Sequence, residues 1–436
     1  MANKLRSLLF LLVFLLLAAP YSSGKVVEEK SITREADPVI VTGNKLMKFL
    51  GKHKDKLRLY ARKDGDLIPI PYQIDELTPE DEYAFTNGEE AVEDTDKGLI
   101  DDNDELVFMA RDTGERVSPE SWPPGNLGGM EIEVIDSLNG NKGWAYLLEF
   151  PEPPERSEVD YISMDLSGGI YRIKARNYCL DNAEYPPNAF RPTVTLITPA
   201  AGGDNTDIYD SPRQRTTVSV LFFTVHKDEK DIKTKITAFI DGPVRIINKN
   251  EIKLRLFWRI WVPTPGSVTK LYYSHYDLPT NLHFPIALDK KASTRLRVSF
   301  DLVDSAIGYK FYNSHNPIPV VIDGVMSPEE KALNLSYPDW NVVTGNHGTQ
   351  INRFTFPQRL LGKDHRLYYM DDSKLPDPPE MVRGQIGHAG FDVDLTGAKS
   401  GVYPLVYHVY YPEDFEIGDE VNYLNILDHP LAIVVR

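Results

Sequence analysis

The chain has 436 residues, with 48 lysines and arginines against 64 aspartates and glutamates, a formal charge of −16 at pH 7. That balance argues against nucleic acid as a partner, because phosphate binding needs a basic surface. The single cysteine, Cys179, excludes an internal disulfide, so stability has to come from core packing and from any bound metal.

In chain order, Lys4 and Arg6 precede an apolar run from Leu8 to Ala19, then Pro20, Ser22, Ser23 and Gly24. This is the pattern of a signal peptide over residues 1–24, and the run is shorter than the ~20 residues that span a bilayer. Cleavage after Gly24 leaves 46 basic against 64 acidic residues, a charge of −18. The expectation is export to the periplasm or beyond, with no membrane span after cleavage.

Residues 25–37 are polar and read as a flexible lead-in, with structure beginning near Pro38. Short segments rich in Val, Ile, Tyr, Phe and Thr then recur between Gly, Pro, Asn and Asp clusters, the signature of an all-β protein. Leu57–Arg62 and Leu67–Ile74 flank Lys63-Asp64-Gly65-Asp66 as one hairpin, and Met130–Ile135 and Trp144–Phe150 flank residues 139–143 as another. The three prolines of 151–157 mark a domain junction. Beyond it lie strand candidates at Ile170–Tyr178, Arg215–His226, Ile232–Ile240, Val244–Ile247, Ile252–Val262, Val268–Tyr276 and Thr294–Val303. A helix is predicted over Ser327–Leu333, with Ser327 as N-cap and Pro328 at the first helical position. Strands return at Thr349–Phe356, His365–Met370, Phe391–Leu395, Tyr403–Tyr411 and Ala432–Arg436. The organisation predicted is an N-terminal β-sandwich domain over 38–150 and a large antiparallel, supersandwich-like β-sandwich over 158–436. Residues from about 330 either complete that sandwich or form a separate C-terminal subdomain.

The most specific local signal is the acidic loop Glu93–Glu105, in which carboxylates crowd around Gly98 and Ile100. Oxygen-rich loops with a glycine at the bend and an aliphatic residue two places later suit a calcium ion. Lys97 falls at a ligand position of the usual twelve-residue template. The ligands would therefore be Asp94, Asp96, Asp101, Asp102 and Asp104 in a loop of different geometry, and the alternative is a solvated acidic loop. A second cluster comprises Trp258, Arg259 and Trp261, then Tyr272, Tyr273, His275, Tyr276 and His283 after a Pro-Gly turn. On paired strands, Trp258, Trp261, Tyr272, Tyr276 and His283 would form an aromatic face for a glycan, while Arg259 with Tyr273 or His275 would be the catalytic candidates of a lyase. The competing reading places these aromatics in a sandwich core. Two glycine-rich segments, Gly345–Gly348 and Arg383–His388, each carry one histidine on what reads as a loop. There is no Gly-x-Ser-x-Gly elbow, His-Glu-x-x-His, haem motif, phosphate loop or dinucleotide fingerprint, so those enzyme classes lose their usual support.

Pro71-Tyr-Gln-Ile-Asp-Glu76, the run Asp101–Asp112 and Asp241-Gly-Pro-Val-Arg245 together resemble secreted bacterial β-proteins related to the galactose mutarotase-like supersandwich of polysaccharide lyases. The resemblance covers residues 38–262 and implies a sugar-related ligand, without carrying over any catalytic residue. The resulting expectation is an exported β-sandwich protein that binds a glycan and a structural calcium ion. Its alternatives are a polysaccharide lyase or glycan-modifying enzyme on the same scaffold, and a non-catalytic cell-surface or matrix assembly protein.

Overall fold

The computed structural model describes residues 26–167, 171–182, 194–220, 223–257, 259–284, 287–376 and 383–436. The predicted signal peptide and Trp258 lie outside the described residues. The protein is all-β with few short helices, and its sheets are antiparallel. Two compact units emerge, one comprising residues up to Ile74, Gly98–Glu158 and His429–Arg436, the other Asp75–Lys97 and Val159–Asp428. The division after Glu158 adjoins the proline-rich 151–157 segment. Two segments depart from the sequence-based boundaries: residues 75–97 join the larger unit, and the C-terminal strand joins the smaller one.

In the smaller unit, Ala432–Val435, Gly128–Ile135, Lys142–Glu149, Leu57–Lys63 and Asp66–Pro69 form one sheet in that order, and Pro38–Thr42, Glu105–Met109 and Gln73–Asp75 form another. Their apolar faces meet in a core that includes Val39, Val41, Leu59, Phe108, Ile132 and Leu147. The Leu57–Lys63 hairpin turns at Asp64 (φ 52°) and Gly65 (φ 93°), the left-handed pair that a two-residue turn between twisted strands requires. The terminal strand pairs Ala432 with Ile135 and Val435 with Ile132. It therefore completes this sheet and not the second sandwich.

The larger unit stacks a ten-stranded sheet against a five-stranded one. In the ten-stranded sheet the order is Asn316–Val321, Lys310–Asn313, Trp340–Gly345, Gly348–Thr355, Gly401–Tyr410, His275–Phe284, Ile260–Tyr272, Arg245–Phe257, Ile232–Asp241 and Asn87–Gly88. In the five-stranded sheet it is Phe223–Lys227, Tyr209–Val220, Ser293–Leu302, Arg383–Asp394 and Arg366–Pro376. One continuous core joins them, with Ile246, Phe311, Phe354 and Tyr407 from the first and Leu296, Phe300, Tyr369 and Phe391 from the second. Several strand assignments change. Ile170–Tyr178 divides between two strands, Tyr171–Ala175 and Tyr178–Asn182, and Val268–Tyr276 is interrupted at Tyr273-Ser274 between Ile260–Tyr272 and His275–Phe284. Arg215–His226 is a hairpin, because Tyr209–Val220 pairs with Phe223–Lys227. Ile252–Val262 is broken between Phe257 and Ile260. The Pro265-Gly266 pair makes no turn, since Ile260–Tyr272 runs through it with the register shifted between Asn250 and Ile252, a bulge that tolerates the missing amide donors.

The predicted helix spans Pro328–Lys331, and Ser327 and Glu330 close a reciprocal capping box. A second helix, Glu420–Asp428, was not anticipated. It places Leu424, Tyr423 and Ile426 on Tyr312, Val342, Ile351 and Tyr410, covering the outer face of the ten-stranded sheet. Among the described residues, no helix is long and apolar enough to cross a membrane.

Candidate functional site

Period-two alternation on Ser293–Leu302 sends Leu296, Val298, Phe300 and Leu302 toward the core, and Arg295, Arg297, Ser299 and Asp301 to the opposite face. Its neighbour Tyr209–Val220 does the same with Arg213, Arg215 and Thr217. The antiparallel register sets Arg215 directly opposite Arg297, Arg213 opposite Ser299 and Thr217 opposite Arg295. On the other side, Arg297 faces Asp392 and Ser299 faces Gly390. Four arginines thus occupy one patch of a single sheet face. A hollow of about 210 Å³ opens there, lined by Arg215, Thr217, His226, Lys227, Arg295, Arg297 and Asp392.

The floor of this face is a fixed hydrogen-bonded chain. The Arg297 guanidinium lies 4.0 Å above the ring of Tyr368, whose hydroxyl donates to Gln385 Oε1 at 2.6 Å. His388 Nδ1 is 2.9 Å from the same oxygen, and its Nε2 is 2.8 Å from Ser299 Oγ. An amide oxygen only accepts, so the network assigns the proton to Nδ1, and Nε2 accepts from the Ser299 hydroxyl. Burial, and then the positive charges of Arg297, Arg215 and Arg213, push the His388 pKa well below its usual value, so the ring is neutral at pH 7. Arg295 Nε donates to Asp392 Oδ1 at 2.8 Å, placing a donor and an acceptor side by side at the hollow.

Toward the other end of the face the charge reverses. Arg213 is paired with Asp210, and Asp301 Oδ1 accepts the Ile386 amide at 3.0 Å. Burial outweighs that hydrogen bond and the Arg213 charge, raising the Asp301 carboxyl to about 7. A second hollow of about 490 Å³ is lined there by Asp210, Asp301, Asp304, Ser305 and Ser373, among others.

The residues singled out by sequence are distributed differently. Tyr272, Tyr273, His275 and Tyr276 are buried. Tyr272 stacks on His275 at 4.7 Å and His275 on Tyr410 at 5.5 Å, while Tyr273 packs on Tyr161 and Tyr276 on Tyr178. Burial lowers the His275 pKa to about 4. Arg259 is exposed at the hairpin end, and the whole Ile260–Tyr272 strand of 13 residues, ~40 Å at strand rise, separates it from Tyr273 and His275. Trp261 is half-buried beneath Lys233 Nζ at 4.3 Å. His283 is exposed, and it lines a cavity of about 130 Å³ together with Ile232, Ile252, Leu254, Leu282 and Phe284, among others. The structure does not gather these residues into one open groove.

Of the acidic loop, Asp94 and Asp96 belong to the larger unit and Asp101, Asp102 and Asp104 to the smaller. Asp94 is buried; its Oδ1 accepts the Thr95 amide at 2.7 Å, and its Oδ2 has no hydrogen-bond partner among the described residues. Asp101 Oδ1 accepts the amides of Asn103 and Asp104, and Asp104 Oδ2 accepts that of Asp101. Asp102 is exposed. Lys97 pairs with Glu93.

Of the two glycine-rich segments, Gly345–Gly348 is a hairpin turn in which His347 Nδ1 contacts Asp204 at 2.8 Å. Arg383–His388 is strand, not loop. Gly384 (φ 97°) and Gly387 (φ 51°) adopt left-handed backbone within it and let Gln385 and His388 both reach the polar network. The arginines went unread in the sequence. Their signal was the Arg-x-Arg spacing of Arg213/Arg215 and Arg295/Arg297, which puts both members of each pair on one strand face.

No family model matches the chain, and no curated protein matches it. Among solved structures it is similar to an α-mannosidase from Enterococcus faecalis V583, with a TM-score of 0.40 and 9% identity over 95% of this chain and 45% of that one. It is also similar to a protein in glycosyl hydrolase family 38 from Enterococcus faecalis, with a TM-score of 0.40 and 10% identity over 95% and 46%. HI1317 gives 0.29 and 9% over 57% and 98%. The chain spans less than half the length of the two Enterococcus proteins.

Proposed function

We propose that this chain is an exported β-sandwich protein that binds a glycan along the polar face of its five-stranded sheet. The observation that carries the reading is the lining of the 210 Å³ hollow, in which every side chain is polar and the Arg295–Asp392 pair presents donor and acceptor together. Vicinal hydroxyls need that combination, whereas an apolar ligand would leave those groups desolvated and unpaired. The hollow is smaller than the ~300 Å³ at which small-molecule pockets begin, so it has room for one ring of a longer chain. The test is affinity electrophoresis through gels containing different polysaccharides. Retardation by at least one glycan is expected, and unretarded migration in all of them would favour the assembly-protein reading.

A polysaccharide lyase is the second reading, supported by Tyr368 lying under Arg297 beside a neutral His388. β-Elimination needs a cation on the uronate carboxylate and a proton acceptor close by; Arg297 would supply the cation, and Tyr368 would take the proton as its phenolate, having first given up the proton it donates to Gln385. Ultraviolet-absorbing unsaturated ends that disappear in Tyr368→Phe would establish turnover.

A structural calcium ion is part of the same proposal, and the buried Asp94 Oδ2 supports it, because a carboxylate oxygen withdrawn from water calls for a positive partner. A ligand that binds only the folded state adds about 2.7 kcal/mol at a hundredfold excess over Kd. Chelator should lower the melting temperature and calcium should restore it. Identical melts under both conditions would remove the metal from the reading.

A further inference from the structure

Tyr407 and Val409 point into the main core, so His408 between them lies on the opposite face of the ten-stranded sheet. Leu278 and Phe354 also face that core, which sets Asp277 and Thr355 on the same outer face as His408. The register puts Asp277 directly opposite His408 on one side and Arg353 opposite it on the other, with Thr355 two residues beyond Arg353. His408 Nδ1 is 2.6 Å from Asp277 Oδ1, and its Nε2 is 3.1 Å from Thr355 Oγ1. A carboxylate only accepts, so the network places the ring proton on Nδ1 and leaves Nε2 to accept from the Thr355 hydroxyl. Burial raises the Asp277 carboxyl, but the hydrogen bond and charge of His408 outweigh it and hold the group below its usual range, ionised at pH 7.

Hydroxyl, imidazole and carboxylate linked in this order are the parts of an activated nucleophile: the imidazole takes the hydroxyl proton, and the carboxylate holds the imidazole in the tautomer that can do so. No local motif announces the arrangement, because its members come from three strands and meet only through their pairing. Exposure on this face rises along Gly401–Tyr410 away from the site. Tyr410 and His408 are buried, Val406 is half-buried, and Pro404 and Val402 are exposed. On the buried side the Glu420–Asp428 helix covers Tyr410, and its Leu424 carbonyl and Asp428 carboxylate accept from Arg353. Thr355 and Asp277 stand half-buried. Val406, opposite Thr355 on one strand and Pro279 on the other, begins an apolar floor that Pro404 continues. A group lying on that floor adjoins the Thr355 hydroxyl, while the imidazole behind it stays buried.

We propose that Thr355 is the nucleophile of an acyl-transfer site, with His408 as its general base and Asp277 as the positioning residue, acting on carboxylic esters with a short apolar acyl group. Thr355 Oγ1 forms a bond to the acyl carbon while its proton passes to His408 Nε2. The bond from the acyl carbon to the alcohol oxygen then breaks, and the alcohol leaves with that proton. Water, giving a proton to Nε2, attacks the same carbon; the acid departs and Thr355 regains its hydroxyl proton from the imidazole. The site is independent of the glycan reading, which concerns the five-stranded sheet.

The test treats the full chain with a fluorophosphonate, locates the modified residue by peptide mass spectrometry, and follows hydrolysis of the p-nitrophenyl esters of acetate and octanoate. The expected result is an adduct on Thr355 and hydrolysis of the acetate in preference to the octanoate. Thr355→Val and His408→Gln should each lower labelling and hydrolysis by about a hundredfold, the share that a positioned general base contributes, and Thr355→Ser should keep both. Asp277→Asn should slow labelling at an unchanged melting temperature, because asparagine can hold the ring in the wrong tautomer; a merely structural carboxylate would lower the melt and leave labelling alone. If a variant does not fold, the position of the adduct on the unmutated chain decides. No adduct on Thr355, or hydrolysis unchanged in a folded Thr355→Val, would overturn the site and leave the three side chains as packing.

Discussion

The pair formed by Asp75 and Arg245 offers the sharpest test of how the larger unit is held together. Both side chains are buried, with exposures of 2% and 0%. Asp75 Oδ2 accepts from Arg245 Nε at 2.9 Å and from Nη2 at 2.8 Å, and Nη1 reaches the Tyr272 hydroxyl at 3.3 Å. Asp75→Asn keeps the size of the side chain but removes the carboxylate charge that lies beside a fully buried guanidinium. Each charge-assisted hydrogen bond contributes ~1.5–3 kcal/mol, and breaking a buried pair from one side costs ~3–5 kcal/mol. Because asparagine can still accept one hydrogen bond, the lower figure is expected, about 3 kcal/mol, which corresponds to roughly 6–12 °C in the melt. The double variant Asp75→Leu/Arg245→Met removes both charges and should recover most of that loss, since an apolar replacement of a whole buried pair is often neutral. The assay is urea unfolding followed by circular dichroism for the two single variants and the double. Loss of less than ~1 kcal/mol in Asp75→Asn, or a double variant as unstable as the two singles added together, would refute the account.

Two further outcomes follow from burial and close packing. The His275 pKa is lowered by burial to about 4, so below pH ~6.5 the unfolded chain takes up a proton that the folded chain does not. The contribution of this group to stability is therefore complete above pH ~6.5 and is lost as pH falls toward 4, by up to ~1.4 kcal/mol per pH unit. The stability gap between wild type and His275→Gln should narrow by about 2 kcal/mol between pH 7 and 4.5, and a gap independent of pH would count against a buried neutral imidazole. A Cβ on Gly390 would lie 2.2 Å from the Val298 carbonyl oxygen and 2.4 Å from Ser299 Cβ. Gly390→Ala should therefore cost ~1–3 kcal/mol through overpacking, and should weaken glycan retention by displacing the strand that carries Arg297; an unchanged melt would show that the strands yield freely.

Local chemistry was legible in the sequence because it is written over a few consecutive residues. The Asp64-Gly65 turn has the two residues that tolerate left-handed backbone, and Ser327-Pro328 with Glu330 specifies a capped helix, so both formed as predicted. The all-β class followed from the same kind of signal repeated along the chain. Motifs quoted only for their resemblance, Pro71–Glu76 and Asp241–Arg245, contain the two partners of a buried ion pair, yet nothing in either segment names the other. The arginine face has the same character: each Arg-x-Arg shows that two guanidiniums share a strand face, but only the register of Tyr209–Val220 on Ser293–Leu302 sets Arg215 against Arg297. Fold also decided the fate of the aromatic strands. A strand has two faces, and its sequence does not say which is covered; here the main core takes Tyr276, while the layer containing Tyr410 and the Glu420–Asp428 helix lies on the side of Tyr272 and His275. Periodicity determines which side chains point together, and it is long-range pairing, set by the packing of the whole sheet, that determines what they point at.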